Sequence, residues 1–135
     1  MSKPNNPYGF ETLSIHAGAA PDPTTGARVT PIYQTTAFVF DDAEHAASLF
    51  NLQTWGYIYS RIGNPTVSVL EERIATLEGG RGAIATASGH AAQMLVAFSL
   101  PRAGDHLAAG NTLYGGSVTQ FTRTFAKFGW DCTLV

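Results

Sequence analysis

The sequence is poor in several features, and each shortage argues against a class of protein. Its 135 residues include a single cysteine, Cys132, so the chain can form neither an intrachain disulfide nor a thiolate metal cluster. No run of about 18 apolar residues occurs, so no transmembrane helix is predicted. The first seven residues are polar and lack the apolar core of a secretory signal peptide. These absences predict a cytoplasmic protein.

Charge is also scarce. Lysine and arginine together number 8 and aspartate and glutamate 10, giving a net charge of −2, whereas nucleic-acid-binding domains are usually strongly basic. Charged residues make up 13% of the chain, against about 25% in a typical soluble domain. Because a small domain has proportionally more surface, it should carry more charge rather than less. We therefore expect a partner subunit or further polypeptide to cover much of this chain.

Common motifs of metal, nucleotide and serine-nucleophile sites are missing. The four histidines show no H-x-x-x-H spacing, which argues against a metal site: His16, His45, His90 and His106. Neither G-x-G-x-x-G nor G-x-x-x-x-G-K-[ST] occurs, which disfavours dinucleotides and ATP. Ser88 lacks the G-x-S-x-G frame of a nucleophile elbow.

Residues 1–60 differ in composition from the rest of the chain. The first 40 residues contain five prolines, which leave no room for a long helix or a central strand. They are also rich in apolar side chains, which a solvated tail would not need. Two interpretations stay open: an irregular segment packed on its own domain, or an arm that contacts another subunit. A short helix follows from Ala43 to about Leu52, with Asp41 or Asp42 as its N-cap.

Residues 61–135 alternate between helix and strand patterns. Asn64 and Pro65 predict a helix start, and Gly79 predicts its end. The elements that follow are a strand at 83–86, a helix at 90–99, a strand at 106–109, a helix at 117–128 and a strand at 130–135. This β-α-β-α-β order predicts the first part of a doubly wound, mostly parallel sheet of the α/β class. Because the last strand should be central and paired, we expect a truncated chain, the N-terminal part of a larger protein.

The turn after the first predicted strand is the sharpest candidate site. Ser88, Gly89 and His90 form a small-residue turn at a predicted helix N-terminus. Such a turn presents unpaired backbone N–H groups and the positive end of a helix dipole, for which phosphate is a natural ligand. Every β-α connection needs a turn of small residues, so an ordinary connection stays open as the alternative.

Two further segments carry side chains suited to a phosphorylated, flat ligand. Arg61 follows Tyr59 and Ser60, and a guanidinium fork matches two phosphate oxygens. Tyr114 follows the second predicted strand and therefore lies at the same sheet edge as Ser88. An aromatic ring there can stack on a flat cofactor. The alternatives are a surface arginine packed on tyrosines and an ordinary core tyrosine.

Together, these segments resemble the Cys/Met-metabolism family of pyridoxal-phosphate enzymes, in the cystathionine γ-synthase-like branch of fold type I. The resemblance covers almost the whole chain and rests on Phe10–Leu13, Pro31–Thr36, Tyr59–Arg61, Asn64–Thr66, Leu77–Gly80 and Ala87–Gly89. Three more segments resemble most closely the members that convert O-acetyl-L-homoserine and sulfide to L-homocysteine and acetate: His16–Gly18, Pro21–Gly26 and Asp42–Ala47. The alternatives are a cystathionine γ-synthase, a methionine or cystathionine γ-lyase, and a non-catalytic anion-binding fragment that associates with full-length subunits.

The resemblance implies a cofactor, pyridoxal 5′-phosphate (PLP), and residues that bind it. The backbone N–H groups of Gly89 and His90, with Ser88 beside them, are expected to bind its phosphate, and Tyr114 to stack on its pyridine ring. Many relatives carry methionine in place of His90. Since the contact is through the backbone, phosphate binding is still expected.

The resemblance also implies an active site that is shared between subunits, and it places the catalytic residues outside this chain. Tyr59 and Arg61 are expected to reach the phosphate bound in a neighbouring subunit of a homo-oligomer, a dimer of dimers. The family's Schiff-base lysine, its aspartate and its substrate-binding arginine lie beyond Val135 in the family pattern. Lys3 lies in the tail and Lys127 on the last predicted helix, so neither fits that lysine. We expect no catalytic residue in this chain and no turnover by the chain alone.

Overall fold

The computed structural model describes residues 7–135, and the contacts divide them into two units. The first unit ends at Ala85, and the second runs from Thr86 to Val135. Residues 1–6 of the predicted arm, Lys3 among them, lie outside the described residues. Of the part that the structure describes, no helix has the length and apolar composition needed to cross a membrane.

The described residues of the first unit form three helices, of which the second and third were predicted and the short first one was not. They are α1 (Phe10–His16), α2 (Ala43–Phe50) and α3 (Pro65–Glu78). The predicted cap of α2 is confirmed, because the Asp42 carboxylate accepts a hydrogen bond from the His45 N–H at 2.7 Å. The predicted cap of α3 is confirmed as well, since Asn64 Oδ1 accepts from the Thr66 N–H at 2.9 Å. Gly79 ends α3 with a φ of 66°, the left-handed conformation that favours glycine.

The first turn of α3 also fixes the irregular segment before it. Asn64 Nδ2 donates to the Tyr33 carbonyl at 2.9 Å. The Thr66 hydroxyl donates to the Pro31 carbonyl at 3.0 Å and accepts from the Tyr33 N–H at 2.9 Å. A segment without regular structure needs such partners for its backbone polar groups. The proline-rich segment is therefore held in place by the cap of α3.

The apolar face of α3 is not covered within the described chain. Val67, Leu70 and Ile74 keep 42%, 52% and 45% of their surface exposed, whereas Ala75 is buried. Helical spacing predicts which residues share a face. It does not identify the surface that packs against that face.

The second unit forms a parallel β-α-β arrangement after an initial helix. Its elements are α4 (Gly89–Ser99), β1 (His106–Ala109), α5 (Gly115–Thr119) and β2 (Asp131–Leu134). Between α5 and β2 the chain continues through a π turn at Gln120–Thr124 and a 3₁₀ turn at Phe125–Phe128. The two strands pair in parallel, with His106 opposite Asp131 and Ala109 opposite Leu134. The predicted parallel pairing and the α/β class are confirmed.

Two details of the predicted order are wrong. Residues 83–86, predicted as the first strand, have no regular structure. The Ala85 N–H donates to the side chain of Glu71 at 2.7 Å rather than to a neighbouring strand, and a strand needs such a neighbour to pair its backbone. The helix predicted at 117–128 begins earlier and changes to π and 3₁₀ geometry after Thr119.

The core of the second unit is built from aromatic rings. Phe125 and Trp130 are buried, with ring centroids 5.6 Å apart and planes at 83°. Phe121 meets Phe125 edge to face at 5.1 Å, and Ala97 closes the cluster from α4. Phe121 and Phe125 therefore face inward. Phe128 packs on Trp130 but remains 42% exposed.

Candidate cofactor site

The turn before α4 presents two unpaired backbone donors. The Ser88 hydroxyl accepts a hydrogen bond from the Ala91 N–H at 3.1 Å, and the Ser88 carbonyl accepts from the Thr86 hydroxyl at 2.9 Å. Among the described residues, no acceptor lies on the N–H groups of Gly89 and His90, as the first turn of a helix requires. The space beside Gly89 is open within 4 Å of where a Cβ would stand. An anion with several oxygens fits this turn.

The structure brings Tyr114 to this turn. The ring centroids of His90 and Tyr114 lie 5.8 Å apart, with an interplanar angle of 37°. Tyr114 is 77% exposed, which excludes the alternative of a core tyrosine within the second unit. Its ring face is therefore available to a flat ligand beside the turn. Ser88, Gly89, His90 and Tyr114 form one cluster at the N-terminus of α4.

Gly116 leaves room for both rings of this cluster. A Cβ at this position would lie 2.7 Å from His90 Cε1 and 2.7 Å from Tyr114 Cε1. Real Cβ atoms do not approach other atoms so closely, so a side chain here would displace both rings. Sequence reasoning did not single out Gly116. The sequence feature that could have indicated it is the pair Gly115–Gly116 directly after Tyr114. Only the second glycine of this pair lies close to the rings, since the space beside Gly115 is open.

Two glutamine side chains link α4 to the segment after Tyr114. Gln120 Nε2 donates to the His90 carbonyl at 3.1 Å, and Gln93 Nε2 donates to the buried Ser117 hydroxyl at 3.0 Å. The buried Oε1 atoms of both glutamines have no partner among residues 7–135. These links were also missed, because a glutamine on a helix gives no sequence signal for a contact across 24 or 30 positions.

Tyr59 and Arg61 belong to the first unit, whereas the four clustered residues belong to the second. Tyr59 forms an isolated antiparallel bridge with Ala37, and the Ser60 N–H donates to the Thr36 carbonyl at 2.9 Å. The exposed Arg61 guanidinium lies over the Tyr59 ring, with its carbon 5.4 Å from the ring centroid. Within the described part of the chain, Arg61 has no carboxylate in ion-pair range. The guanidinium is held by a ring and remains free to bind an anion.

Three titratable groups outside this cluster have shifted pKa values: Asp22, Tyr33 and Cys132. Asp22 accepts hydrogen bonds from the Thr25 N–H and hydroxyl and from the Tyr33 hydroxyl, and the bond from the Thr25 backbone contributes most to lowering the pKa of Asp22. The hydrogen bond that the Tyr33 hydroxyl donates to Asp22 raises the pKa of Tyr33. Burial raises the pKa of the Cys132 thiol, which disfavours the reactive thiolate. No group of three or more potential metal ligands occurs among the described residues.

The comparison with protein families decides the family. The model of the family described as "Cys/Met metabolism PLP-dependent enzyme" matches residues 11–135. The chain belongs to this family. The resemblance that the sequence segments suggest is thereby confirmed. Lys127 is exposed on the 3₁₀ turn, so the expectation that it is not the Schiff-base lysine is unchanged.

Curated relatives of this family are similar over most of the chain. The O-acetyl-L-homoserine sulfhydrylase 1 of Thermus thermophilus is 57% identical over 120 residues, which cover 89% of this chain and 28% of that protein. The O-acetyl-L-homoserine sulfhydrylase of Leptospira meyeri is 50% identical over 128 residues, which cover 95% of this chain and 29% of that protein. The chain thus spans less than a third of the length of these relatives.

Solved structures confirm the fold class. A Campylobacter jejuni protein assigned as an O-acetylhomoserine (thiol)-lyase matches with a TM-score of 0.87 and 41% identity, over 94% of this chain and 31% of its own. That protein carries a pyridoxyl-lysine monophosphate group. Cystathionine γ-lyase of Lactobacillus plantarum matches with a TM-score of 0.80, also at 41% identity, over 95% of this chain and 31% of its own. The described residues therefore have the fold of the N-terminal part of a fold type I PLP enzyme.

Proposed function

We propose that this chain is the N-terminal part of a PLP-dependent O-acetylhomoserine sulfhydrylase. Such an enzyme converts O-acetyl-L-homoserine and sulfide to L-homocysteine and acetate. The curated relatives that are 57% and 50% identical to this chain carry this name, and this supports the sulfhydrylase. The observation that carries the proposal is the exposed Tyr114 ring beside the unpaired N–H groups of Gly89 and His90.

The residues at the turn fit PLP. Its phosphate needs hydrogen-bond donors and positive potential, which Gly89, His90 and the N-terminus of α4 provide. Its flat ring needs an aromatic face, which the exposed ring of Tyr114 provides. When bound, PLP withdraws electrons from an amino-acid substrate, the chemistry that a replacement at the γ carbon requires. The role of this chain is to bind and orient the cofactor.

In this proposal the active site is shared between subunits of a dimer of dimers. Tyr59 and Arg61 bind the phosphate held by a neighbouring subunit. Support comes from the exposed guanidinium of Arg61, which rests on the Tyr59 ring and has no carboxylate partner among the described residues. The division into an inter-subunit arm at 1–60 and a cofactor domain from 61 stays a prediction. So does a cytoplasmic location, which is expected for an enzyme of amino-acid biosynthesis.

Product analysis of the full-length enzyme tests the proposal. The enzyme is incubated with PLP, O-acetyl-L-homoserine and sulfide, and homocysteine is quantified. Parallel reactions replace sulfide with cysteine, to detect cystathionine, or omit sulfide, to detect a 2-oxo acid. We expect homocysteine as the main product and no turnover by the 135-residue chain alone. Cystathionine or a 2-oxo acid as the main product would instead establish a γ-synthase or a γ-lyase.

A further inference from the structure

The imidazole ring of His90 has a position that anion binding does not explain. The proposed phosphate contact uses the backbone N–H of His90, in the first turn of α4, whereas its side chain lies against Tyr114. We propose that His90 is a positioning residue, whose imidazole sets the plane of the Tyr114 ring against the cofactor. This inference rests on the proposed function, because the ligand that Tyr114 would stack on is the cofactor.

The backbone of His90 is fixed from two directions, so its ring projects from a rigid support. His90 lies in the first turn of α4, which Ser88 caps. Its carbonyl also accepts the hydrogen bond from Gln120 Nε2 at 3.1 Å, and Gln120 lies on the segment that follows Tyr114. The two parts of the site are therefore linked both through the backbone of His90 and through its ring.

The ring of Tyr114 has few other restraints. It is 77% exposed, and His90 is the aromatic side chain that the described residues place against it, at 5.8 Å and 37°. Gly116 lies beside both rings, because a Cβ there would meet each of them at 2.7 Å. Within this contact, a change in the position of one ring changes the space available to the other.

A flat ring suits this role better than a flexible chain. An imidazole has two side-chain torsions and one plane, whereas methionine has three rotatable bonds and adapts to its surroundings. Replacing His90 by methionine leaves the backbone N–H in place but removes the plane on which Tyr114 rests. Replacing it by phenylalanine retains a plane without a ring nitrogen. The two substitutions separate the shape of His90 from its hydrogen-bonding groups.

The test uses the full-length holoenzyme and does not depend on turnover. His90→Met, His90→Ala and His90→Phe are compared with wild type for cofactor dissociation and for visible circular dichroism of bound PLP, which reports the asymmetry of its surroundings. We expect His90→Met and His90→Ala to weaken cofactor retention about threefold or more and to reduce the dichroic signal at least by half. His90→Phe should restore most of both. His106→Ala is the matched control, because the His106 ring contacts Thr133 on β2 instead.

The outcomes separate this inference from the proposed function. If wild type binds PLP and His90→Met retains its affinity and its dichroic signal, the positioning role is wrong and the proposed function stands. If wild type binds no PLP, the proposed function is wrong and the positioning role falls with it.

A double-mutant cycle tests the ring contact itself. Gly116→Ala should weaken cofactor retention in wild type, because its Cβ would displace both rings. In the His90→Ala background one of the two displaced rings is absent, so the same substitution should have an effect at least about twofold smaller. Equal effects in both backgrounds would show that His90 and Gly116 act independently and would overturn the proposal.

Discussion

The hydroxyl of Ser88 accepts a hydrogen bond from the N–H of Ala91 and so caps the helix whose first amides face the candidate phosphate position. Ser88→Ala removes this cap and should lower the free energy of unfolding by about 0.5–2 kcal/mol. Ser88→Asp retains a capping oxygen but adds a negative charge where the anion is expected. We predict near-wild-type thermal stability for Ser88→Asp in the apoprotein, together with cofactor affinity below that of Ser88→Ala. Equal cofactor affinity in both variants would place the anion elsewhere.

A second prediction concerns Asn64, which is 93% buried and joins α3 to the irregular segment. Asn64→Ala removes the cap oxygen for Thr66 and the donor to Tyr33, and should cost about 2–3 kcal/mol of stability. Asn64→Ser keeps a cap oxygen and loses the donor to the Tyr33 carbonyl, so its cost should be intermediate. Urea denaturation of the three proteins measures these differences. A cost for Asn64→Ser as large as that for alanine would contradict the importance of the cap.

The ring of Tyr114 gives a third prediction. Tyr114→Phe in the full-length enzyme keeps the aromatic face, whereas Tyr114→Ala removes it. Stacking of this kind is worth about 0.5–1.5 kcal/mol, so alanine should weaken cofactor retention several-fold and phenylalanine much less. Equilibrium dialysis against PLP measures the difference. Equal retention in all three proteins would remove Tyr114 from the site.

Arg61 provides a test of the proposed shared active site. Arg61→Ala should cost about 1.5–3 kcal/mol of cofactor binding, the range for a hydrogen bond to a charged group. Arg61→Lys should restore binding only in part, because an ammonium group cannot make the two-pronged contact.

Subunit mixing tests whether that arginine acts across an interface. One inactive full-length variant carries Arg61→Ala and the other lacks the cofactor-binding lysine. After subunit exchange, a hybrid dimer contains one site with both wild-type groups, so part of the activity should return. No recovery after verified exchange would show that Arg61 acts within its own subunit.

The Asp22 carboxylate predicts a pH dependence. Hydrogen bonds from Thr25 and Tyr33 keep its folded-state pKa below the unfolded value of about 3.9. Its contribution to stability is therefore fully present above the unfolded pKa and is lost as the pH falls through the folded pKa. Asp22→Asn should flatten the decrease in melting temperature below about pH 4. The control Asp131→Asn should leave that decrease unchanged, because Asp131 is exposed at the start of β2.

Local signals in the sequence predict the elements that depend on local chemistry. Asn64, Pro65 and Gly79 predict α3 at both ends, and its structure begins and ends there. The strand expected at 83–86 depends on neighbours outside its own sequence, and Ala85 pairs with a carboxylate instead. Pairing partners of strands are long-range information, which a single segment does not contain.

The same distinction holds for the site. The Ser88–Gly89 turn could be predicted because a capping residue followed by glycine is a local pattern. The contact between His90 and Gly116 brings together positions that are 26 apart in the sequence (116 − 90), and it depends on how α4 and the segment after β1 pack. The resemblance identifies Tyr114, but the packing of its ring on His90 is a property of the fold.

The π turn at Gln120–Thr124 has a consequence for how this segment can vary in length. A π turn holds one residue more than the α turn it replaces, and the extra residue changes the rotational phase of everything that follows. With this phase, Phe125 reaches the aromatic core while Gln120 remains on the carbonyl of His90. Deletion of one residue within the turn would let an ordinary α-helix deliver Phe125 at nearly the same rotation. Insertions and deletions of single residues among homologous chains should therefore accumulate at this turn. A change in length that does not remove Gln120 would leave its hydrogen bond to the His90 carbonyl intact.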